Sequence, residues 1–188
     1  TRMTVKDALA EAQQKMDKAI EVAHEDMADI RTGRAHAGMF SKIMVDYYGA
    51  PTPLQQLASF QVPEARTLLI TPYDRSALGE IETALRNSDV GANPANDGNV
   101  IRVVMPELTE ERRRDYVKIV HSKAEDGRIS VRSIRRTAKE AIEKLVKDGE
   151  IGEDEGKRAE KELDALTKKA SEQIDTAAKN KEAELLKV

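Results

Sequence analysis

Apolar residues recur near the N-terminus at Val5, Leu9, Ala12, Met16, Ala19, Ala23, Met27 and Ile30. The steps alternate between four and three, so a helix would carry all eight on one side. Thr4 precedes the run and Asp7 follows three residues later, which is the form of a capping box. At about 1.5 Å per residue such a helix is roughly 40 Å long.

The same rule returns, over a greater length, at Val117, Val120, Ala124, Gly127, Val131, Ile134, Ala138, Ala141 and Leu145. Thr109 suits the N-cap, Glu110 and Glu111 suit the dipole of the first turn, and Gly149 is placed to end the helix. Gly127 falls on the apolar side. There it costs about 1 kcal/mol against alanine unless a neighbouring helix needs the space. A last run starts near Gly152 and turns Ala159, Leu163, Leu166, Ala170, Ile174 and Ala177 to one side. The short connection makes the last two helices antiparallel. Each helix has one apolar stripe to cover, and a three-helix bundle covers all three.

The middle, residues 32–106, has another texture. It holds every proline and most of the β-branched clusters. Strands are predicted at Lys42–Tyr48, Ser59–Val62, Thr67–Thr71 and Val100–Val104, and a short helix at Ser76–Arg86. Turn chemistry stands between them at Gly49-Ala50-Pro51-Thr52-Pro53, at Gly91-Ala92-Asn93-Pro94 and at Asp97-Gly98. The sequence therefore predicts an α+β protein: a long three-helix bundle from residues 1–31 and 107–188, with a small α/β domain, 32–106, inserted between helices one and two. The chain crosses between the two near 31–34 and 105–107. Thr32, Gly33, Met105 and Pro106 are the expected hinge, because a double crossing that includes a glycine permits rotation while limiting separation.

Composition narrows the chemistry. Charged residues are 35% of the 188 and aromatics 3%, a mixture suited to long helices washed by solvent. The net charge is −3, so any basic surface must be local. There is no cysteine, which removes disulfides, thiolate metal sites and cysteine nucleophiles together, and fits a reducing cytosol. Thr1–Ile20 lacks the apolar core of a secretion signal, and no apolar run approaches the roughly 20 residues that span a bilayer. The expectation is a cytoplasmic protein with no membrane partner. His24, His36 and His121 lack metal-site spacing. No phosphate-cradling glycine loop and no Gly-x-Ser-x-Gly elbow occurs. Carboxylate groups such as Glu153-Asp154-Glu155 read as solvated charge. No catalytic centre, metal or cofactor is expected.

The local basic surface lies on the middle helix. Glu107–Lys147 holds twelve basic residues against eight acidic, whereas Asp148–Val188 holds eight against twelve. No acid lies between Asp126 and Glu140, yet Arg128, Arg132, Arg135, Arg136 and Lys139 all do. At roughly 100° per residue these five fall within an arc of about 100°, away from the apolar side. Arg114, Lys118 and His121 project onto the same arc, interrupted only by Glu125, and extend it to roughly 37 Å. A plainer reading pairs these charges with the acidic last helix. Against it, four of the five are arginine and none has an acidic i+4 partner within the block. Arginine forks suit phosphate oxygens, and a face this long suits an RNA backbone. Scarce aromatics argue against single strands and for structured RNA.

Several stretches then match a known pattern. Asp29-Ile30-Arg31-Thr32-Gly33-Arg34-Ala35, Asp46-Tyr47-Tyr48-Gly49, Thr52-Pro53-Leu54, Leu57-Ala58-Ser59, Leu108-Thr109-Glu110-Glu111-Arg112-Arg113, Val131-Arg132-Ser133-Ile134-Arg135-Arg136 and Lys181-Glu182-Ala183-Glu184-Leu185 resemble the ribosome recycling factor family. The likeness covers essentially the whole chain. It implies a hinged, L-shaped molecule of bundle and small domain that binds the post-termination ribosome. With elongation factor G and GTP hydrolysis such a factor splits the subunits, and initiation factor three then keeps them apart. The resemblance places the bundle on large-subunit ribosomal RNA and turns the small domain toward the small subunit and elongation factor G. Carried over by position, Arg135 is the family's important arginine, flanked by Arg132 and Arg136, and Arg31 and Arg34 match the junction motif. Ser133 stands where relatives commonly have asparagine, and Gly127 where many have a better helix former. A monomer is expected. The competing readings are a general structured-RNA-binding helical protein without recycling activity, and a coiled-coil adaptor whose arginines pair internally. Tyr47 and Tyr48 are left open between a partner surface and the small core.

Overall fold

The computed structural model of the chain describes residues 3–90 and 93–187. Three long helices, α1 (Val5–Ala28), α3 (Glu110–Lys147) and α4 (Glu153–Leu186), accompany a short α2 (Leu78–Arg86) and six strands. Contacts divide the chain into two compact units, Thr1–Arg31 with Glu110–Val188, and Thr32–Thr109.

In the first unit α1, α3 and α4 each pack on the other two. The Thr4 hydroxyl accepts from the Asp7 amide at 3.1 Å while the Asp7 carboxylate accepts from the Thr4 amide at 3.1 Å, so α1 starts on a full capping box. Gly149, at φ +75°, ends α3 in the left-handed region, where the Glu150 amide reaches back to the Leu145 carbonyl at 2.9 Å. The buried set drifts from the strict four-three pattern. Ala8 is buried and Leu9 only half-buried; Ile142 replaces Ala141, and Ala178 replaces Ala177. A straight helix slips about 20° per heptad against a 3.5-residue repeat, which moves the buried line over by one position. Gly127 explains itself. A Cβ built there would lie 3.1 Å from Ile174 Cδ1 of α4 and 3.4 Å from Ala23 Cβ of α1, so all three helices converge on the missing side chain.

The second unit has its own core of Phe40, Val45, Leu54, Leu68, Ile70, Ile81, Ile101 and Val103 among others. A four-stranded antiparallel sheet runs in the order β3 (Ala58–Glu64), β4 (Thr67–Pro72), β6 (Ile101–Val104), β5 (Asn93–Asn96). Leu68 and Ile70 on β4, and Ile101 and Val103 on β6, alternate inward, and Ile81 and Leu85 of α2, four apart, add to that core. β1 (Met44–Tyr47) and β2 (Ala50–Pro53) form a separate hairpin.

Two expected turns are strands. Ala50–Pro53 is β2, and Asn93-Pro94 opens β5; the turn expected at Gly91-Ala92 lies outside the described residues. The prolines that suggested turns, Pro51, Pro53 and Pro94, stand on strands paired on one side only, where a missing N–H breaks no ladder. The short helix is also trimmed, since Arg75–Ala77 is a 3-10 turn leading into α2.

Of the expected hinge residues, Met105 is built into the sheet unit. It is buried in the core, and its amide donates to the Arg66 carbonyl at 2.7 Å. Ala35 donates to the adjoining Ala65 carbonyl at 2.9 Å, so one turn clamps the incoming and outgoing chain alike. Segments without helix or strand remain at 29–34 and 106–109, and they hold Thr32, Gly33 and Pro106. Gly33 has φ +79°, and a Cβ there would lie 3.2 Å from Leu108 Cγ.

Candidate nucleic-acid interface

The five cations of the basic arc all sit on α3, whose 38 residues hold them on one continuous helical frame. Their surroundings differ from the sequence expectation. Arg128 donates from Nε to Glu125 at 3.0 Å and from Nη1 to Asp175 of α4 at 2.6 Å. Arg132 donates from Nη2 to the other oxygen of Glu125 at 2.8 Å, and Arg135 from Nε to Asp164 of α4 at 2.8 Å. Lys139 lies 3.9 Å from Glu143, at the edge of ion-pair range. Arg136 is exposed and has no ion pair among the described residues. The expectation of an unpaired arginine block is therefore corrected. A search for i+4 acids misses partners at i−3 and i−7, and it cannot see across to another helix.

The cross-helix pairs have an order. His121, Arg128 and Arg135 recur every seven residues along α3 and meet Glu182, Asp175 and Asp164 in descending order along α4. Heptad-spaced positions lie on one edge of a helix, so antiparallel packing brings these edges together. The spacing was legible in the sequence; the register that pairs the two rows was not.

Electrostatics follow the geometry. Hydrogen bonds from Arg132 and then Arg128 hold the Glu125 carboxyl below its ordinary value. Burial alone would lower the Arg128 guanidinium, but the Glu125 and Asp175 carboxylates outweigh it and raise it. A guanidinium has five N–H donors in a planar fork. Among the described residues Arg135 donates from Nε to Asp164, and both terminal nitrogens face no acceptor there. Arg132 and Arg136 are exposed, and Arg128 and Arg135 half-buried at 28% and 36% of side-chain surface. This face can bind phosphate oxygens along a line while its inner edge stays tied to α4.

The junction residues lie apart from the α3 cluster in the chain. Arg31 closes the first unit and is exposed; Arg34 belongs to the second and is half-buried. The sheet unit has a surface that the sequence left open. Tyr47 is half-buried, while Tyr48 is 78% exposed at φ +51°, a strained value for a side chain of that size. Both phenols donate to Asp74 Oδ2, at 2.8 and 3.2 Å, and the Ser76 hydroxyl and amide donate to Asp74 Oδ1 at 2.7 and 2.9 Å. Those bonds, Ser76 first and Tyr47 next, pull the Asp74 carboxyl down to about 2. Sequence reasoning missed Asp74, and its place before Ser76 as an Asx turn was the available signal. Among the described residues no group of three His, Asp or Glu side chains is placed to hold a metal ion, and no helix is long and apolar enough to cross a membrane.

Fold and face together describe an α+β protein of long packed helices, with an extended charged helix face in one unit and a small antiparallel sheet in the other. Comparison with known proteins gives the family. The family model for ribosome recycling factor matches residues 23–186. The ribosome-recycling factor of Renibacterium salmoninarum is 72% identical over 184 residues, covering 98% of this chain and 100% of that one. That of Kocuria rhizophila is 70% identical over 182 residues, covering 97% and 98%. A solution structure of a ribosome recycling factor superposes with a TM-score of 0.80 at 40% identity, with full coverage of both chains. A second match has a TM-score of 0.66 at 43% identity, covering 98% of this chain and 100% of that one. It comes from work on the T. thermophilus ribosome recycling factor and the E. coli elongation factor G bound to the E. coli post-termination complex. The chain belongs to the ribosome recycling factor family.

Proposed function

We propose that this chain recycles ribosomes: it binds the post-termination ribosome and, with elongation factor G and GTP, splits it into subunits, so that mRNA and tRNA are released. Family membership at 72% identity supports the assignment, as does the relative placed with elongation factor G on a post-termination complex. The binding surface is the α3 face of Arg128, Arg132, Arg135, Arg136 and Lys139, directed at large-subunit ribosomal RNA. The observation that carries it is a row of cations on one face of a single 38-residue helix, its guanidinium forks only partly used internally. Arg31 and Arg34 add contacts near the junction. The protein acts in the cytoplasm as a monomer without a catalytic centre of its own, and the energy of splitting comes from the GTPase partner.

The finer architecture belongs to the same proposal. The three long helices form a bundle, the sheet unit is a domain inserted between the first and second of them, and Thr32, Gly33 and Pro106 form a hinge on which it turns toward the small subunit and elongation factor G. The clamp of Ala35 and Met105 on Ala65-Arg66 moves the pivot outward from Met105 toward 106–109.

The ion pairs to α4 favour a second reading, in which the arginine charge is consumed inside the bundle. The two readings separate in one experiment. Arg132→Ala combined with Arg135→Ala should weaken ribosome binding by about tenfold or more and slow splitting by elongation factor G, because each lost charge-assisted bond is worth about 1.5–3 kcal/mol. Binding by the unmodified chain should also fall steeply with added salt. Splitting at the unmodified rate by the double variant would eliminate the RNA-face reading and leave internal pairing.

A further inference from the structure

The carboxylates that hold the arginines stand out on a face meant for phosphate. Asp164 and Asp175 are themselves exposed, at 57% of side-chain surface each, yet they reach across from α4 to Arg135 and Arg128 at 2.8 and 2.6 Å. Exposed pairs of this kind contribute little to stability. Their geometry has another effect. Asp164 holds Arg135 at Nε and Asp175 holds Arg128 at Nη1, which restricts how each guanidinium turns and biases the direction of its remaining N–H groups. An arginine on a free side chain would instead sample many directions and meet any phosphate. Each carboxylate also cancels charge close to the fork, which lowers attraction to polyanions in general. Both effects act against partners that do not match and cost little against one whose phosphates lie where the fork already points.

We propose that Asp164 and Asp175 are positioning residues for RNA recognition: they aim Arg135 and Arg128 and hold down the affinity of the α3 face for RNA of the wrong shape. This rests on the RNA-binding reading above and adds to it the source of selectivity. Glu125 shares the task for Arg132, bonding it and Arg128 through opposite oxygens. Two arginines and one carboxylate make that position harder to alter alone, so the test is placed on α4.

The test uses the full chain with Asp164→Asn and Asp175→Asn, singly and together. Binding is measured to post-termination ribosomes and to an RNA duplex of unrelated sequence, across a salt series. Glu162→Gln is the charge-matched control for each single variant. It is exposed and stands two residues before Asp164, hence roughly 160° around α4. The double variant should bind the unrelated duplex about tenfold more tightly with a steeper salt slope, while ribosome affinity changes less than about threefold, so that selectivity drops. Glu162→Gln should leave both affinities near the unmodified values. Should the double variant lose helical circular dichroism, each single variant carries the same comparison at about threefold. No change in duplex binding would overturn the proposal, as would a gain matched by Glu162→Gln or by the ribosome. Failure of the underlying reading looks different: Arg132→Ala with Arg135→Ala would then leave ribosome binding intact.

Discussion

Gly127, Gly156 and Gly33 are small for three different reasons, and substitution separates them. At Gly127 an added methyl meets the flexible end of Ile174 at 3.1 Å, while the helix gains about 1 kcal/mol of propensity. Gly127→Ala should therefore unfold in urea within about 1 kcal/mol of the parent, whereas Gly127→Leu should lose about 1–3 kcal/mol or more through overpacking. At Gly156 the obstacle is Val146 Cγ2, only 2.6 Å from the built Cβ, on a side chain stiff at χ1. There even Gly156→Ala should cost about 1–3 kcal/mol, and an unchanged urea midpoint would contradict the close approach of α3 and α4 near their connection. Gly33 is held chiefly by its backbone, and a Cβ there would in addition need the Leu108 side chain, 3.2 Å away, to shift slightly. At φ +79° asparagine is tolerated and β-branched residues are not. Gly33→Asn should keep splitting near normal, and Gly33→Val should impair splitting more than initial binding. Equal losses in both steps would remove the pivot from the mechanism.

Among the elements, the β1–β2 hairpin makes the clearest solution prediction. It is tied down where the Tyr47 and Tyr48 phenols meet Asp74, a carboxyl lowered from an ordinary 3.8 to about 2. A lowered folded-state value means the charged form is favoured on folding, so this support is complete above about pH 4 and is lost as pH falls toward 2. Tyr47 is shifted the other way, chiefly by the same bond, so its share persists below pH 10 and is lost above its raised value. The Tyr48 amide, followed by NMR, should leave its native position between pH 4 and 2 in the parent. In Asp74→Asn no such acid transition should occur; its persistence there would assign the transition to another group. This tie was illegible in the sequence because its partners are 27 and 26 residues apart. The long helices were legible for the opposite reason: their signal is local, repeats every turn, and runs for tens of residues. β2 and β5 failed because proline on a strand paired on one side looks like proline in a turn. The arginine arc was legible as an arc, since it depends only on spacing along one helix. Its pairing with Asp164 and Asp175 depends on how α4 registers against α3, which no local window contains.

At the scale of the whole chain, the described residues build a separate core in each unit: Phe40 and its neighbours in the sheet unit, and Met16, Val131, Leu163 and Ile174 among the long helices. Phe40→Ala should cost the sheet unit about 3–5 kcal/mol, much of what a small unit has. Hydrogen exchange should then show amides of β4 and β6 losing protection while those of α3 keep theirs. Loss in both would mean that the units unfold together. The placement of the sheet unit in the chain has a further effect, on the protein's own synthesis. α1 is made first, but the residues that cover Met16 and Ala23 belong to α3 and α4, which follow only after the whole sheet unit. At about 5–20 residues per second, the roughly 80 residues between α1 and the start of α3 delay even the first of that cover by roughly 4–16 s. Most of a helix's stability in a protein comes from packing of its amphipathic face, which α1 lacks until then. The sheet unit, contiguous in the chain, can complete its core during the wait. Of the three long helices α1 is thus translated well before its partners, and its apolar stripe waits for them uncovered.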